Sequence, residues 1–183
     1  MKDQTENRRV RMTRRLMKDA LLELLEQTEL SNISVTAVCE TADVNRSTFY
    51  NYYTSPSELL REIEQEVLER IPVSPPILDH QGEEQLLRAT TSFFDYVKEN
   101  EKVFRILFGE SVNYDFTSRL VELLCAQHIP STESVNGPSS RFVQRYIANG
   151  TVGMLREWLA SGFCLSSREI AEMMYYLSIK ITG

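Results

Sequence analysis

The chain lacks any apolar run approaching the ~20 consecutive residues that a membrane-spanning helix needs, so no span is expected. It is also poor in cysteine: Cys39, Cys125 and Cys164 are far apart and odd in number. They make neither a disulfide framework nor a paired metal-ligand spacing, which points to a reducing cytoplasm with no metal and no cofactor. Histidine is scarcer still. His80 lies in a proline-rich stretch and His128 at a helix end, with no carboxylate or nucleophile at a catalytic spacing near either. An enzyme is therefore not expected. The opening residues are polar and basic without an apolar h-region, so a secretory signal is not expected. Sustained period-two alternation, internal repeats and low-complexity tracts are absent.

What is present is ordinary for a soluble globular protein: 183 residues, 42% hydrophobic and 25% charged. That length buries a core as one domain, or as a small module fused to a larger one. The charge is unevenly divided. Residues 1–18 hold seven basic side chains (Lys2, Arg8, Arg9, Arg11, Arg14, Arg15, Lys18) against two acids, a balance of +5. The whole chain is −6, so the rest carries −11. A basic end on an acidic body is a footprint of nucleic-acid or anionic-surface contact, with a solvated tail as the plainer alternative.

Nearly every segment has helical spacing. Leu16, Ala20 and Leu24, with Leu21 and Leu25 alongside, form an apolar stripe on a first helix over about 9–28. Ser34 is placed to cap a short helix carrying Val35, Val38, Cys39 and Ala42. Asp43 and Val44 form a turn, and a second short helix runs from about Arg46 to Tyr53. Ser55, Pro56 and Glu58 have the spacing of a capping box, so a helix should start there and continue through Ile71. Pro72, Pro75 and Pro76 stop it, making 72–81 the expected boundary. At least five more helical segments follow, the last two over about 141–161 and 167–181.

Two short helices joined by a tight turn have the outline of a helix-turn-helix, whose second helix enters the DNA major groove. Here that helix begins Asn45-Arg46-Ser47-Thr48 and continues Tyr50-Asn51-Tyr52. Arg pairs with guanine or phosphate, Asn with adenine, and hydroxyls with phosphate oxygens. The ordered set Ser34-Val35, Val38-Cys39, Ala42, Val44, Ser47-Thr48-Phe49-Tyr50, Tyr53 and Glu58-Leu59-Leu60 resembles the TetR (tetracycline-repressor) family of bacterial regulators over about residues 9–71. Residues 82–183 match its second part in length and helix count. The aromatic-rich later segments also resemble the dihydroxyacetone-kinase operon regulators, a subset that binds a protein co-activator in place of a small molecule.

The resemblance implies an all-α fold: a three-helix DNA-binding head (1–53), a connecting helix (55–71), and a helical-bundle regulatory and dimerisation domain (72–183). It implies that Ser34, Thr36, Arg46, Ser47, Thr48, Tyr50, Asn51, Tyr52 and Ser55 lie against DNA. Arg8, Arg9 and Arg11, placed just before the motif, are expected to supply backbone contacts, with a solvated helix face as the alternative. Phe49 and Tyr53, four apart on one helical face, are the packing pair. Tyr50 and Tyr52 lie off that face, with partial burial as the alternative for Tyr52. The family usually has Gly in the turn where this chain has Asp43, a residue that tolerates the left-handed conformation. Where the family often has a phosphate-binding Lys, Pro56 stands here, leaving the helix N-terminus, Ser55 or the basic arm for that contact.

Phe93, Phe104, Phe108, Tyr146, Met154 and Trp158 are candidates for an effector pocket, with plain core as the alternative. Cys125 and Cys164 are expected in core surroundings. Gly150 and Gly153, inside a helical pattern, suggest a close helix approach, at a dimer seam or beside a cavity. The expected function is a homodimeric repressor of a palindromic double-stranded DNA operator, released by a small apolar or aromatic effector or by a protein co-regulator. The alternative is a partner-binding adaptor or co-activator whose C-terminal part docks another protein.

Overall fold

The computed structural model describes residues 2–72, 82–109, 115–126 and 138–182; side chains are described from Arg8 to Pro72 and over most of the rest. Among these residues the chain is helical and has no strand. In order the helices are α1 (Lys2–Leu25), α2 (Val35–Ala42), α3 (Arg46–Tyr50), α4 (Pro56–Arg70), α5 (Gly82–Glu99), α6 (Glu101–Phe108), α7 (Asp115–Ala126), α8 (Pro138–Ala160) and α9 (Ser167–Thr182), with one 3₁₀ turn at Leu30–Asn32. The chain divides into two compact units, one holding α1–α4 as far as Glu69 and the other running from Arg70 through α5–α9. Nine residues of the expected boundary, 73–81, His80 among them, lie outside the described residues, as does His128.

In the first unit, α1 begins well before the expected position and buries Met17, Ala20, Leu21, Leu22 and Leu25. Leu16, expected in that stripe, is 39% exposed. The helix face is rotated so that Met17 takes the inward place. Val38, Cys39 and Ala42 of α2, Phe49 of α3, Tyr53, and Leu59, Leu60, Ile63 and Val67 of α4 complete the core. Ser34 caps α2, its Oγ accepting from the Ala37 N–H at 3.1 Å.

Asp43 closes α2 with φ 53° and ψ 48°, the left-handed conformation. The Val44 N–H then reaches back to the Cys39 carbonyl at 3.0 Å, satisfying an end that would otherwise be orphaned. A polar side chain of this kind stands in the left-handed region where Gly is commoner, at modest cost. At the start of α4 the Ser55 Oγ accepts from the Glu58 N–H at 3.2 Å. The Glu58 carboxylate reaches one residue past the expected partner, accepting both the N–H and the hydroxyl of Thr54 at 2.6 Å. Two donors on one residue outcompete the single N–H of Ser55. Those bonds hold the Glu58 carboxyl below its ordinary range.

The second unit has an aromatic core. Phe94 meets Trp158 edge-on at 5.2 Å, and Phe104 packs against Tyr96, Phe108 and Phe116 at 5.9–6.1 Å. The turn between α8 and α9 places Gly162 and Phe163 at φ 68° and 61°. Left-handed backbone is unusual for Phe, and its ring is held by contacts: 4.6 Å from Trp158, with Lys98 and Arg105 at 5.8 and 5.9 Å. The Trp158 N–H donates to the Leu165 carbonyl at 2.8 Å, closing the same turn. Cys164, expected in the core, is exposed, because this turn directs Phe163 inward and the next residue out. Ser166 and Glu169 make a reciprocal capping box on α9, at 3.2 and 2.7 Å, with the same three-residue spacing as Ser55 and Glu58.

Phe49 is fully buried and is the largest side chain that α3 contributes to the core. Phe49→Ala is expected to lower unfolding free energy by about 3–5 kcal/mol. Urea denaturation of the variant checks this, and a loss under ~1 kcal/mol would mean the ring is not a core anchor.

Candidate nucleic-acid interface

The candidate residues lie on α2, α3 and the turn that follows. α3 has only five residues, Arg46–Tyr50, so Asn51 and Tyr52 sit on the turn after it and not on the helix itself. The Tyr52 N–H bonds to the Phe49 carbonyl at 2.9 Å, the tightened i−3 spacing of a helix that is ending. Pro56, which disfavours helical backbone at Ser55, bars its continuation.

The rings divide as their spacing implied. Phe49 and Tyr53 are buried, 5.7 Å apart centre to centre. Tyr50 is 60% exposed, its ring edge-on to Phe49 at 5.9 Å. Tyr52 is half-buried against Tyr53, at 6.4 Å. Arg46, Ser47 and Asn51 are exposed, and Thr36, Thr48 and Ser55 half-buried. Ser34 is exposed, but it and Ser55 already use a hydroxyl lone pair as helix caps, which leaves each O–H as a donor. A short helix with one buried face and Arg46, Ser47 and Tyr50 on the other presents hydrogen-bonding groups outward from a fixed base.

The basic arm is part of α1. Arg8, Arg9 and Arg11 are exposed and form no ion pair among the described residues. Arg15 is paired loosely with Asp19 at 3.7 Å. Arg14 and Lys18 are committed elsewhere. Both contact the Glu62 carboxylate on α4, and Lys18 also bonds Glu66 at 2.6 Å. The Arg14 Nε donates to the Tyr53 hydroxyl at 3.1 Å, and that hydroxyl donates to Glu62 at 3.1 Å. The footprint of free positive charge is therefore smaller than the sequence count implied.

This network shifts its members' protonation. Burial pushes the Tyr53 phenol up to about 12, against the opposing Arg14 hydrogen bond. The Tyr53 hydrogen bond, with Glu62 beside it, raises the Arg14 guanidinium above its ordinary value. Burial alone would raise the Glu62 carboxyl, but hydrogen bonds from Lys18 and Arg14 outweigh it and hold the group below the usual range. Sequence reasoning missed this network, though a signal for it exists: basic residues at 14 and 18 and acids at 62 and 66, each pair one helical turn apart.

The six effector-pocket candidates do not come together. Phe93, Phe104 and Trp158 are buried and packed ring on ring with Phe94, Phe116 and Phe163, and half-buried Phe108 stacks on Phe104. Tyr146 and Met154 instead line a shallow, mostly apolar recess of about 220 Å³ with Gly150 of α8 and Met174 and Leu177 of α9. Phe142, Tyr146, Met173, Tyr176 and Leu177 are 42–77% exposed on these two helices. A Cβ added at Gly150 or Gly153 would meet nothing within 4 Å, so no helix among the described residues requires either glycine. No helix among the described residues is long and apolar enough to cross a membrane.

Comparison with known proteins gives concordant results. Residues 84–180 match the family described as "Transcriptional regulator C-terminal region", a TetR-type family, and these are more than half of the chain. The dhaKLM operon transcriptional activator DhaS of Lactococcus lactis is 25% identical over 158 residues, covering 82% of this chain and 81% of that protein. A TetR transcriptional regulator from Streptococcus agalactiae superposes with a TM-score of 0.72 at 20% identity, covering 96% of this chain and 98% of that one. NalD of Pseudomonas aeruginosa, the secondary repressor of the MexAB-OprM multidrug efflux pump, gives 0.64 at 19% identity, with 93% and 96% covered.

Glu62 has a depressed pKa, so its contribution to stability is complete above its unfolded value of about 4.3 and lost as pH falls through the lower folded value. Wild-type unfolding free energy should therefore fall more steeply below about pH 4.3 than that of Glu62→Gln. Urea titrations across the acid range check this, and parallel acid limbs would contradict it.

Proposed function

The chain belongs to the TetR family of transcriptional regulators, and from that premise we propose that it is a homodimeric repressor that reads a palindromic operator through α3 and the turn behind it. One observation carries the reading. The segment 45–53 buries Phe49 and Tyr53 and turns Arg46, Ser47, Tyr50 and Asn51 outward, so base- and phosphate-bonding groups stand on a rigid mount. Arg46 and Asn51 are the base-reading candidates. Ser34, Thr36, Ser47, Thr48, Tyr50, Tyr52 and Ser55 are assigned to phosphate and groove-wall contact. Arg8, Arg9 and Arg11 add affinity without sequence information.

Dimerisation is supported by the exposed apolar stripes of α8 and α9. Phe142, Tyr146, Gly150 and Gly153 follow one another at helical spacing on α8, and Met173, Tyr176 and Leu177 do so on α9. Glycines with empty space beyond the Cα favour close approach of a second copy's helix. A two-fold dimer places two recognition helices on half-sites about one DNA turn apart.

An effector acting on α5–α9 would release the operator only by binding the DNA-bound and free states with different affinity. A second reading, that the regulator is a protein docking on the C-terminal unit, is favoured by one observation: Phe93, Phe104, Phe108 and Trp158 are spent on core packing and leave no aromatic cage of their own. DhaS is named an activator and NalD a repressor, so kinship does not choose the sign. A promoter–reporter assay with and without the gene does.

Arg46→Ala and Tyr50→Ala should each weaken operator binding by about 1–3 kcal/mol, read by fluorescence anisotropy. Arg9→Ala should weaken binding to every sequence alike and reduce the slope of log K against log salt by about one. Unchanged, salt-insensitive binding by the first two would sink the assignment. Tyr146→Glu should convert the dimer to a monomer in sedimentation experiments, and a dimer that persists would remove α8 from the interface.

A further inference from the structure

Glu62 is the point at which three elements of the head meet. Its carboxylate receives Arg14 and Lys18 from α1 and the Tyr53 hydroxyl from the turn behind α3, while the residue itself belongs to α4. Two physical consequences follow. Burial of the Tyr53 ring is non-directional, since apolar contact tolerates sliding and rotation. Its hydroxyl, held between the Arg14 Nε and the Glu62 carboxylate at 3.1 Å on each side, is directional and fixes where the chain leaves α3. The second consequence is electrostatic. Arg14 and Lys18 lie on the same helix as the exposed Arg8, Arg9 and Arg11. Without Glu62, Arg14 would join those cations as a phosphate ligand indifferent to sequence, and Lys18 would be held by Glu66 alone.

We propose that Glu62 is a positioning residue for operator specificity, holding the α3 turn in register through Tyr53 while withholding Arg14 and Lys18 from the DNA backbone. The inference rests on the reading of this head as a sequence-specific DNA binder. Glu66 shares the second task, since it takes Lys18 at 2.6 Å. Specific and non-specific binding are thereby moved in opposite directions by one carboxylate. A side chain that merely stabilised the fold would move them together.

The test uses the full-length protein and two DNA probes: the duplex that wild-type protein enriches most from a random-sequence library, and poly(dI-dC). Affinity for each is measured across a salt series for wild type, Glu62→Gln and Tyr53→Phe, with circular dichroism melts to establish that each variant is folded at the assay temperature. Glu62→Gln is expected to cut the ratio of specific to non-specific affinity by ~10-fold or more. Its poly(dI-dC) binding is expected to hold or strengthen, with a salt slope steeper by up to about two. Tyr53→Phe, which keeps every charge, should lower the ratio with an unchanged salt slope, and its result decides the question if Glu62→Gln does not fold. A ratio within about twofold of wild type, or equal losses on both probes, overturns the proposal. If wild-type protein enriches no sequence from the library, the DNA-binding reading itself falls, which is a different result.

Discussion

A helix of five residues cannot hold itself, because nucleating a turn fixes several dihedral angles in return for very few hydrogen bonds. Everything that gives α3 a direction must come from its surroundings. Three constraints supply it. The left-handed Asp43 sets the angle at which the chain leaves α2, the buried Phe49 ring pins the middle of α3 to the core, and Tyr53 ties its far end to α1 and α4. With those in place, the outward residues Arg46, Ser47, Tyr50 and Asn51 need no stabilising role of their own.

The same division of labour organises the charges. Seven cations crowd the first 18 residues of an otherwise acidic chain, yet Arg14 and Lys18 are consumed by Glu62 and Glu66. These are part-buried pairs, worth more than their exposed counterparts and screened less by salt. They serve the head as a joint. Arg8, Arg9 and Arg11 stay exposed and take no part in that joint. In the second unit, ring-on-ring packing around Phe104 and Trp158 fills the interior, and the apolar surplus of α8 and α9 is left outside.

Local chemistry was legible in the sequence because it depends on near neighbours. Ser34 and Ser55 as caps, Asp43 as the left-handed turn residue, and the split of Phe49 and Tyr53 from Tyr50 follow from spacings of three or four residues and from side-chain type. Long-range pairing was not legible: Arg14 and Glu62 are 48 residues apart, and charge patterning within one helix does not say which facing helix answers it. Apolar spacing likewise could not tell Phe104, which packs inward, from Tyr146, which stands 65% exposed, since both sit at helical positions among other large apolar residues. The rotation of α1 that exchanges Leu16 for Met17 has the same origin, because either register gives an apolar stripe. Tertiary contact decides between them.

Residues 45–53 are the surface proposed to meet DNA. Hydrogen–deuterium exchange of the full-length protein, with and without the duplex it selects, tests that claim directly. Slowed exchange should concentrate in 45–53 and the first turns of α1 that carry Arg8 to Arg11. Protection confined to α5–α9, with 45–53 unchanged on saturation with DNA, would contradict it.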